Sequence, residues 1–315
     1  MTPAGQRQTR HPMALKKRLQ TLFARKKRLD VSRRFEILRQ AITGTMSTFY
    51  VVRDRNTGQV VGLKILDPQK TARFEARFQG LGKPSEGEIA IRFDHPHIVK
   101  TYEHGTTTRG EPYLVMEYLG GPGMDCVIAN HGRISEDVSL LEGRRLRYLR
   151  QVAEALHEVH AAGFIHRDVC PRNLIFTEDH QVLKLTDFGL SVPATEPFMR
   201  PGNRTGTPEY MAPELIHRKP TDQRLDVFAF GVTAYEMFTY QHPWPRRQTD
   251  VAAMSHAMTA MGHVEPPADI RKLRPDLHPE LAAAIHACIE PEVKKRCRSM
   301  EKFLWMIRRV QNENA

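Results

Sequence analysis

His166-Arg-Asp-Val-Cys-Pro-Arg-Asn173 and Asp187-Phe-Gly189 decide how this chain is read. The first stretch follows a run in which Leu149, Val152, Ala153, Leu156 and Val159 fall on one face of a helix. The second follows Val182-Leu-Lys-Leu185, which reads as a short strand, and begins 14 residues after Asn173. Two carboxylates and an amide are thus drawn together by a helix, a loop and a strand. Phosphoryl transfer asks for that set: one carboxylate orients the attacking hydroxyl and accepts its proton, while a second carboxylate and an amide oxygen hold Mg2+ against the phosphates.

Towards the N-terminus the pattern changes to β-branched and aromatic runs. Phe49-Tyr-Val-Val52 and Val60-Val-Gly-Leu-Lys-Ile-Leu66 flank the turn sequence Asp54-Arg-Asn-Thr-Gly58, which predicts a hairpin in an antiparallel sheet. A mixed helical segment is expected over about 71–93, then strands near Ile98 to Glu103 and Tyr113 to Met116. Beyond the break at Gly120-Gly-Pro-Gly123 the chain reads largely helical. The fold class is therefore α+β and bilobal: a basic extension over 1–34, a small strand-rich lobe with a hinge over 35–119, and a larger helical lobe over 120–315.

Gly206-Thr-Pro-Glu-Tyr-Met-Ala-Pro-Glu214 completes the order and spacing of the motifs. Over about 35–310 the sequence resembles the eukaryotic-type protein kinases, of the Ser/Thr kind. The resemblance implies a phosphotransferase that uses ATP and Mg2+ on protein substrates. It makes Asp168 the base and Asn173 and Asp187 the metal ligands. Lys64 becomes the small-lobe lysine on the nucleotide phosphates, and Glu86, ten residues before Pro96, its helix partner, with Glu88 as the alternative. Taken alone, Lys64 reads as an exposed strand residue and Glu86 as a solvated helix residue. The backbone of Glu117, Tyr118 and Leu119 is expected to meet adenine behind Met116, and His166 and Phe188 to serve packing. Arg167 resembles the arginine that receives a phosphorylated residue of the 28-residue segment from Asp187 to Glu214. The usual place for that phosphate falls on Asn203, leaving Thr205, Thr195 and Ser191. Thr207 points to Ser or Thr hydroxyl acceptors; Asp226 is expected to brace the catalytic loop, and Arg296 to pair with Glu214.

Three departures from the family stand out. The usual loop glycines fall on Ile42, Gly44 and Ser47, so Gly44 alone remains for close backbone approach to phosphate. Phe49 and Gly62 stand where valine and alanine are usual in the adenine pocket, one enlargement beside one reduction. Cys170 stands where such kinases carry a lysine, and Arg172 is expected to supply the missing cation at the transfer site. Cys170 is then also an oxidation or alkylation candidate, although nearby Asp168 opposes thiolate formation.

The whole chain of 315 residues is 40% hydrophobic and 26% charged, which suits a folded core. Its net charge of +11 is concentrated at one end: residues 1–34 hold 11 Lys/Arg against Asp30 alone, while the rest holds 36 against 35 acids. Pro12 to about Leu29, with Leu15, Leu19, Leu22 and Phe23 at helical spacing, reads as a basic amphipathic helix. It either lies on the domain with its cations in water or contacts nucleic acid, acidic lipid or an acidic protein. No transmembrane segment, secretory signal or C-x-x-C pair is apparent, so a cytoplasmic location is expected and secreted, disulfide-built or zinc-structured classes are disfavoured. Two other functions stay open: a pseudokinase or scaffold module with weak nucleotide binding, suggested by Ile42, Ser47, Phe49 and Cys170, and a small-molecule kinase of the aminoglycoside type, which leaves Thr207 and Ala212-Pro-Glu214 without a purpose.

Overall fold

Alternation of β-branched and aromatic residues gives the small lobe its sheet. In the computed structural model, which describes residues 28–44, 46–130, 141–200, 205–244 and 266–314, β1 (Phe35–Thr43) and β2 (Ser47–Asp54) form a hairpin, and β3 (Val60–Leu66) pairs with β2. The turn joining β2 to β3 is closed by the Asp54 side chain, which accepts from Asn56 N–H at 2.9 Å, and by Gly58 at φ 73°. Two helices follow, α1 (Pro68–Glu75) and α2 (Glu86–Ala90), then β4 (Thr101–Thr106) and β5 (Pro112–Glu117). The five strands are antiparallel in the order β1-β2-β3-β5-β4. Period 2 separates two faces. Val52, Val61, Leu63, Tyr113 and Val115 bury the outer one with Leu29 and Phe35, while Phe49, Gly62, Lys64 and Met116 share the face toward the large lobe.

The single helical segment expected over 71–93 is two helices with a loop between them. Gly80 at φ 81°, Gly82 at φ 65° and Pro84 end the first. Ser85 starts the second through a capping box, accepting from Glu88 N–H while the Glu88 side chain accepts from Ser85 N–H at 2.9 Å. Of the helix expected over Pro12 to Leu29, all but the last two residues lie outside the described part, as does Asn203. Leu29 itself is not helical: it bridges Thr107 at the sheet edge and is buried. Arg34, just ahead of β1, clasps Asp54 at 2.9 Å and Glu103 at 2.8 Å.

In the large lobe, α3 (Arg145–Ala161) buries Leu146, Leu149, Val152, Ala153, Leu156 and Val159, the periodic residues of the sequence. A short sheet of β6 (Gly120–Gly123), β7 (Leu174–Thr177) and β8 (Leu183–Leu185) carries the 166–173 and 187–189 stretches at its strand ends. Behind it runs α4 (Arg224–Thr239), buried along nearly its whole length, with α5 (Pro279–Cys288) and α6 (Met300–Met306) packed around it. A separate apolar cluster crosses from the small lobe: Phe74 and Phe78 from the α1 region, Met46 from the β1–β2 tip, and Ile165, Val192, Phe198 and Met199 from the large lobe. Phe78 and Phe198 meet at 5.7 Å between ring centroids.

Arg296 and Glu214 join the segment after α5 to the end of the 187–214 segment by a buried fork, 2.6 and 2.9 Å. Arg296→Met leaves Glu214 buried without its partner, so urea unfolding should show about 3–5 kcal/mol less stability. A loss under about 1 kcal/mol would mean that the fork does not hold the segment.

Candidate active site

Lys64 lies on β3 opposite Phe49 and Leu114, which aims its side chain into the cleft between the lobes. Its ammonium donates to Glu86 Oε1 at 2.7 Å and to Asp187 Oδ1 at 2.9 Å. Both Lys64 and Glu86 are buried, contrary to what either residue type suggests by itself. Glu86 sits in the first turn of α2, aimed inward because Ser85 fixes the start of that helix. Glu88, the alternative partner, is engaged in the cap.

The electrostatics follow from burial. Desolvation pulls the Lys64 ammonium down, but the charges of Asp187 and Glu86 more than reverse this and raise it above the usual lysine value. Burial raises the Glu86 carboxyl against the pull of Lys64, with Asp187 adding repulsion. Asp187 goes the other way: burial acts upward, yet Lys64 and the Gly189 N–H hold it at about 2. It is therefore an anion throughout the neutral range. Its side chain is 43% exposed, which opens the carboxylate to the cleft.

The 166–173 loop is assembled around Asp168. Thr207 donates to Asp168 Oδ1 twice, from its backbone N–H at 2.9 Å and its hydroxyl at 2.7 Å. Asn173 Nδ2 donates to the Asp168 carbonyl at 2.7 Å and to Oδ2 at 2.9 Å. With its NH2 spent on the loop, Asn173 keeps its amide oxygen for another ligand. Arg172 Nη2 donates to Thr207 Oγ1 at 2.6 Å and lies 3.5 Å from Asp168 Oδ2, its side chain 56% exposed. Cys170 is buried beneath them, 3.7 Å from Thr207 Oγ1.

Two non-glycine residues of these motifs adopt left-handed backbone conformations, Arg167 at φ 70° and Asp187 at φ 64°. Asp226, on α4, supports the first: it accepts from His166 N–H at 2.7 Å and Arg167 N–H at 2.8 Å and meets His160 Nε2 at 2.8 Å. Burial acts to raise the Asp226 carboxyl, and these contacts outweigh it and hold it low. Phe188 stacks on Phe93 at 5.0 Å and meets His166 edge-on at 5.1 Å, so aromatic packing runs from the small lobe to the loop. Arg167 is buried, and Arg77 of the small lobe adds positive charge near it. Among the expected phosphate acceptors, Ser191 is fully buried and donates to the His166 carbonyl, Thr195 is exposed, and Thr205 is half-buried with its hydroxyl oxygen turned in.

On the sheet face toward the large lobe the two unusual residues fit together. A Cβ added at Gly62 would fall 2.7 Å from Phe49 Cζ and 3.1 Å from Met116 Cγ, so the Phe49 ring occupies the room that glycine leaves. Gly44 closes the β1–β2 tip, donating to Ser47 O at 2.8 Å. The expected hinge, Glu117-Tyr118-Leu119, follows β5, with Leu119 buried. The Glu117 side chain turns away from the cleft to Lys184 on β8 at 2.6 Å, and Tyr118 receives a hydrogen bond from Arg39 of β1. Neither tie was read from the sequence. For Lys184 a signal existed, since it alternates with two buried leucines.

These elements define a bilobal phosphotransferase fold with its polar residues in one cleft. The model for the protein kinase domain matches residues 35–305, and the chain belongs to that family. It is 28% identical over 283 residues to a probable serine/threonine-protein kinase of Clostridium acetobutylicum, covering 90% of this chain and 40% of that protein. It is 31% identical over 286 residues to the serine/threonine-protein kinase PknA of Mycobacterium tuberculosis, covering 87% and 61%. With ribosomal protein S6 kinase alpha-2 of Mus musculus it shares 34% identity over 213 residues, covering 67% and 27%. The chain thus spans less than two thirds of the length of these relatives. Among the described residues no helix is long and apolar enough to cross a membrane.

Burial first, and then the Asp168 charge, push the Cys170 thiol up to about 12 despite Arg172. The thiol is therefore neutral at physiological pH, and the reactivity considered for it is not supported. Iodoacetamide at pH 8 should consume the exposed Cys126 and leave Cys170 unlabelled in peptide maps of the folded protein. Equal labelling would show that the loop opens.

Proposed function

We propose that the chain is an active Ser/Thr protein kinase, transferring the terminal phosphoryl group of ATP to hydroxyls of protein substrates. The observation that carries this reading is the Lys64 ammonium held between Glu86 and Asp187, because it joins small lobe, helix and metal-side carboxylate in one ion cluster. A module that only binds would have no use for this cluster beside an oriented Asp168.

The donor set suits the family's ligands. The Asn173 amide oxygen and the Asp187 carboxylate are hard oxygen donors of the kind Mg2+ takes, and Lys64 is a point cation for phosphate. Bound Mg2+ and ATP would supply the charge neutralisation and the transferable phosphoryl group. Asp168, fixed on one oxygen by Thr207, orients the acceptor hydroxyl and takes its proton. Arg172, replacing the lysine lost at Cys170, puts a guanidinium beside the attacking oxygen, where negative charge develops. Met116, Phe49 and the backbone of Glu117, Tyr118 and Leu119 would hold the base, and Gly44 would let the loop approach the phosphates. Thr207, with the Glu214 segment pinned by Arg296, favours an extended peptide carrying Ser or Thr over a small molecule. The domain division at 34/35 and 119/120 is part of the same reading, as is an electrostatic role for the basic extension toward nucleic acid, acidic lipid or an acidic protein.

Mg2+-dependent transfer of labelled phosphate to a generic basic protein, followed by phosphoamino-acid analysis, tests the proposal. Asp168→Asn should lower transfer about 10²–10⁴-fold; equal signal from both forms, or phosphate only on tyrosine, would sink it. Arg172→Ala is expected to reduce turnover far more than Cys170→Ala, and the reverse ranking would contradict the cation swap. Gly62→Ala should weaken nucleotide binding several-fold in a fluorescent-nucleotide titration, with Phe49→Val in the same chain restoring it. Unchanged or tighter binding of the single variant would refute the Phe49–Gly62 fit.

A further inference from the structure

The four cysteines occupy three environments. Cys126 is exposed, Cys170 is a neutral buried thiol under the catalytic loop, and Cys288 and Cys297 lie side by side in the large lobe. Cys288 ends α5 and is fully buried. It is fixed there by the close approach of α4, since a Cβ added at Gly231 would fall 2.6 Å from Cys288 Cβ. Cys297 follows nine residues later, after a loop that folds back on the helix it left. Its backbone N–H donates to the Ala287 carbonyl at 2.8 Å, next to Cys288, and its sulfur stands 3.4 Å from the Ser299 carbonyl. Cys288 is fully buried and Cys297 is buried to all but 7%. None of the phosphoryl-transfer chemistry uses them.

We propose that Cys288 and Cys297 form a peroxide-sensitive dithiol that closes into an intramolecular disulfide. The backbone hydrogen bond at Ala287 and the fixed position of Cys288 hold the two residues side by side, so closure calls for movement of the loop rather than of the helices. The roles of the two sulfurs differ. The hydrogen bond from Cys288 brings the Cys297 thiol down to about 7 against the effect of burial, while burial and the same hydrogen bond raise Cys288. Cys297, the less deeply buried of the two, is thus the more readily ionised nucleophile and Cys288 the resolving thiol.

With hydrogen peroxide as oxidant the steps balance. The Cys297 thiolate attacks one peroxide oxygen, the O–O bond breaks, and the departing hydroxide takes a proton to become water. The resulting sulfenic acid is attacked at sulfur by Cys288, its S–O bond breaks, and hydroxide leaves with the Cys288 proton as a second water. Two thiols are oxidised to one disulfide and one peroxide is reduced to two waters. The new bond fastens the residue next to Arg296, whose guanidinium holds Glu214, so the oxidised and reduced forms differ at the support of the 187–214 segment.

The test is direct on the folded chain of 315 residues. Reduced protein is treated with hydrogen peroxide, quenched with N-ethylmaleimide, and mapped without reduction by mass spectrometry. A peptide joining Cys288 to Cys297, lighter by two hydrogens and released by dithiothreitol, is the expected result. Cys297→Ser should abolish it and Cys126→Ser should leave it intact. Absence of the linked peptide overturns the proposal, whether the two thiols are recovered alkylated or carrying oxygen. Since the wild-type map alone decides, the outcome does not depend on how either variant folds.

Discussion

Lys64 brings an ammonium into the protein interior, where it is tolerable only with opposite charge against it. Glu86 from α2 and Asp187 from the segment after β8 provide that charge at 2.7 and 2.9 Å. The three residues are far apart in the chain and belong to different lobes, so satisfying one cation fixes how the small sheet, its helix and the large lobe sit together. The same arrangement leaves Asp187 ionised and open to the cleft. Removing any one member would strand the remaining charges away from water, which ties the stability of this region to its chemistry.

The large lobe reaches the site through a second chain of dependence. Arg167 and Asp187 hold left-handed backbone conformations that cost of order 1–3 kcal/mol each. The surroundings over-determine them. Asp226 takes the N–H groups of His166 and Arg167, and the ring of Phe188 is clasped between Phe93 and His166. A helix buried along nearly its whole length thereby sets the direction in which Asp168 points. Thr207 adds a contact from the far end of the 187–214 segment, so Asp168 is positioned from three sides.

Much of this was legible from residue order. Strands β2, β3 and β5, helix α3 and the meeting of Asp168, Asn173 and Asp187 follow from alternation, helical period and motif spacing. The region 68–90 was harder, because its apolar residues keep a helical rhythm across Gly80, Gly82 and Pro84. The break is nevertheless written there, in those three residues and in the Ser85–Glu88 cap. Burial of Lys64 and Glu86 could not be read from their own neighbourhoods, since each depends on a partner more than twenty residues away. The Phe49 and Gly62 exchange was visible as two departures of opposite size; that one ring fills the other's space required the register of β2 on β3. The thiol pair escaped notice because Cys288 and Cys297 lack the C-x-x-C spacing and are joined only by a loop turning back on its helix.

The apolar cluster of Met46, Phe74, Phe78 and Phe198 touches both the β1–β2 tip and the 187–214 segment. Apolar association is non-directional, unlike a hydrogen bond, which weakens steeply once its angle is lost. Such a contact can slip by an ångström or more and keep most of its strength. Under the proposed function, with Glu117–Leu119 as hinge, the lobes would rock to admit and release nucleotide while this greasy bearing stays in touch, and the ion cluster at Lys64 would be the part that registers closure.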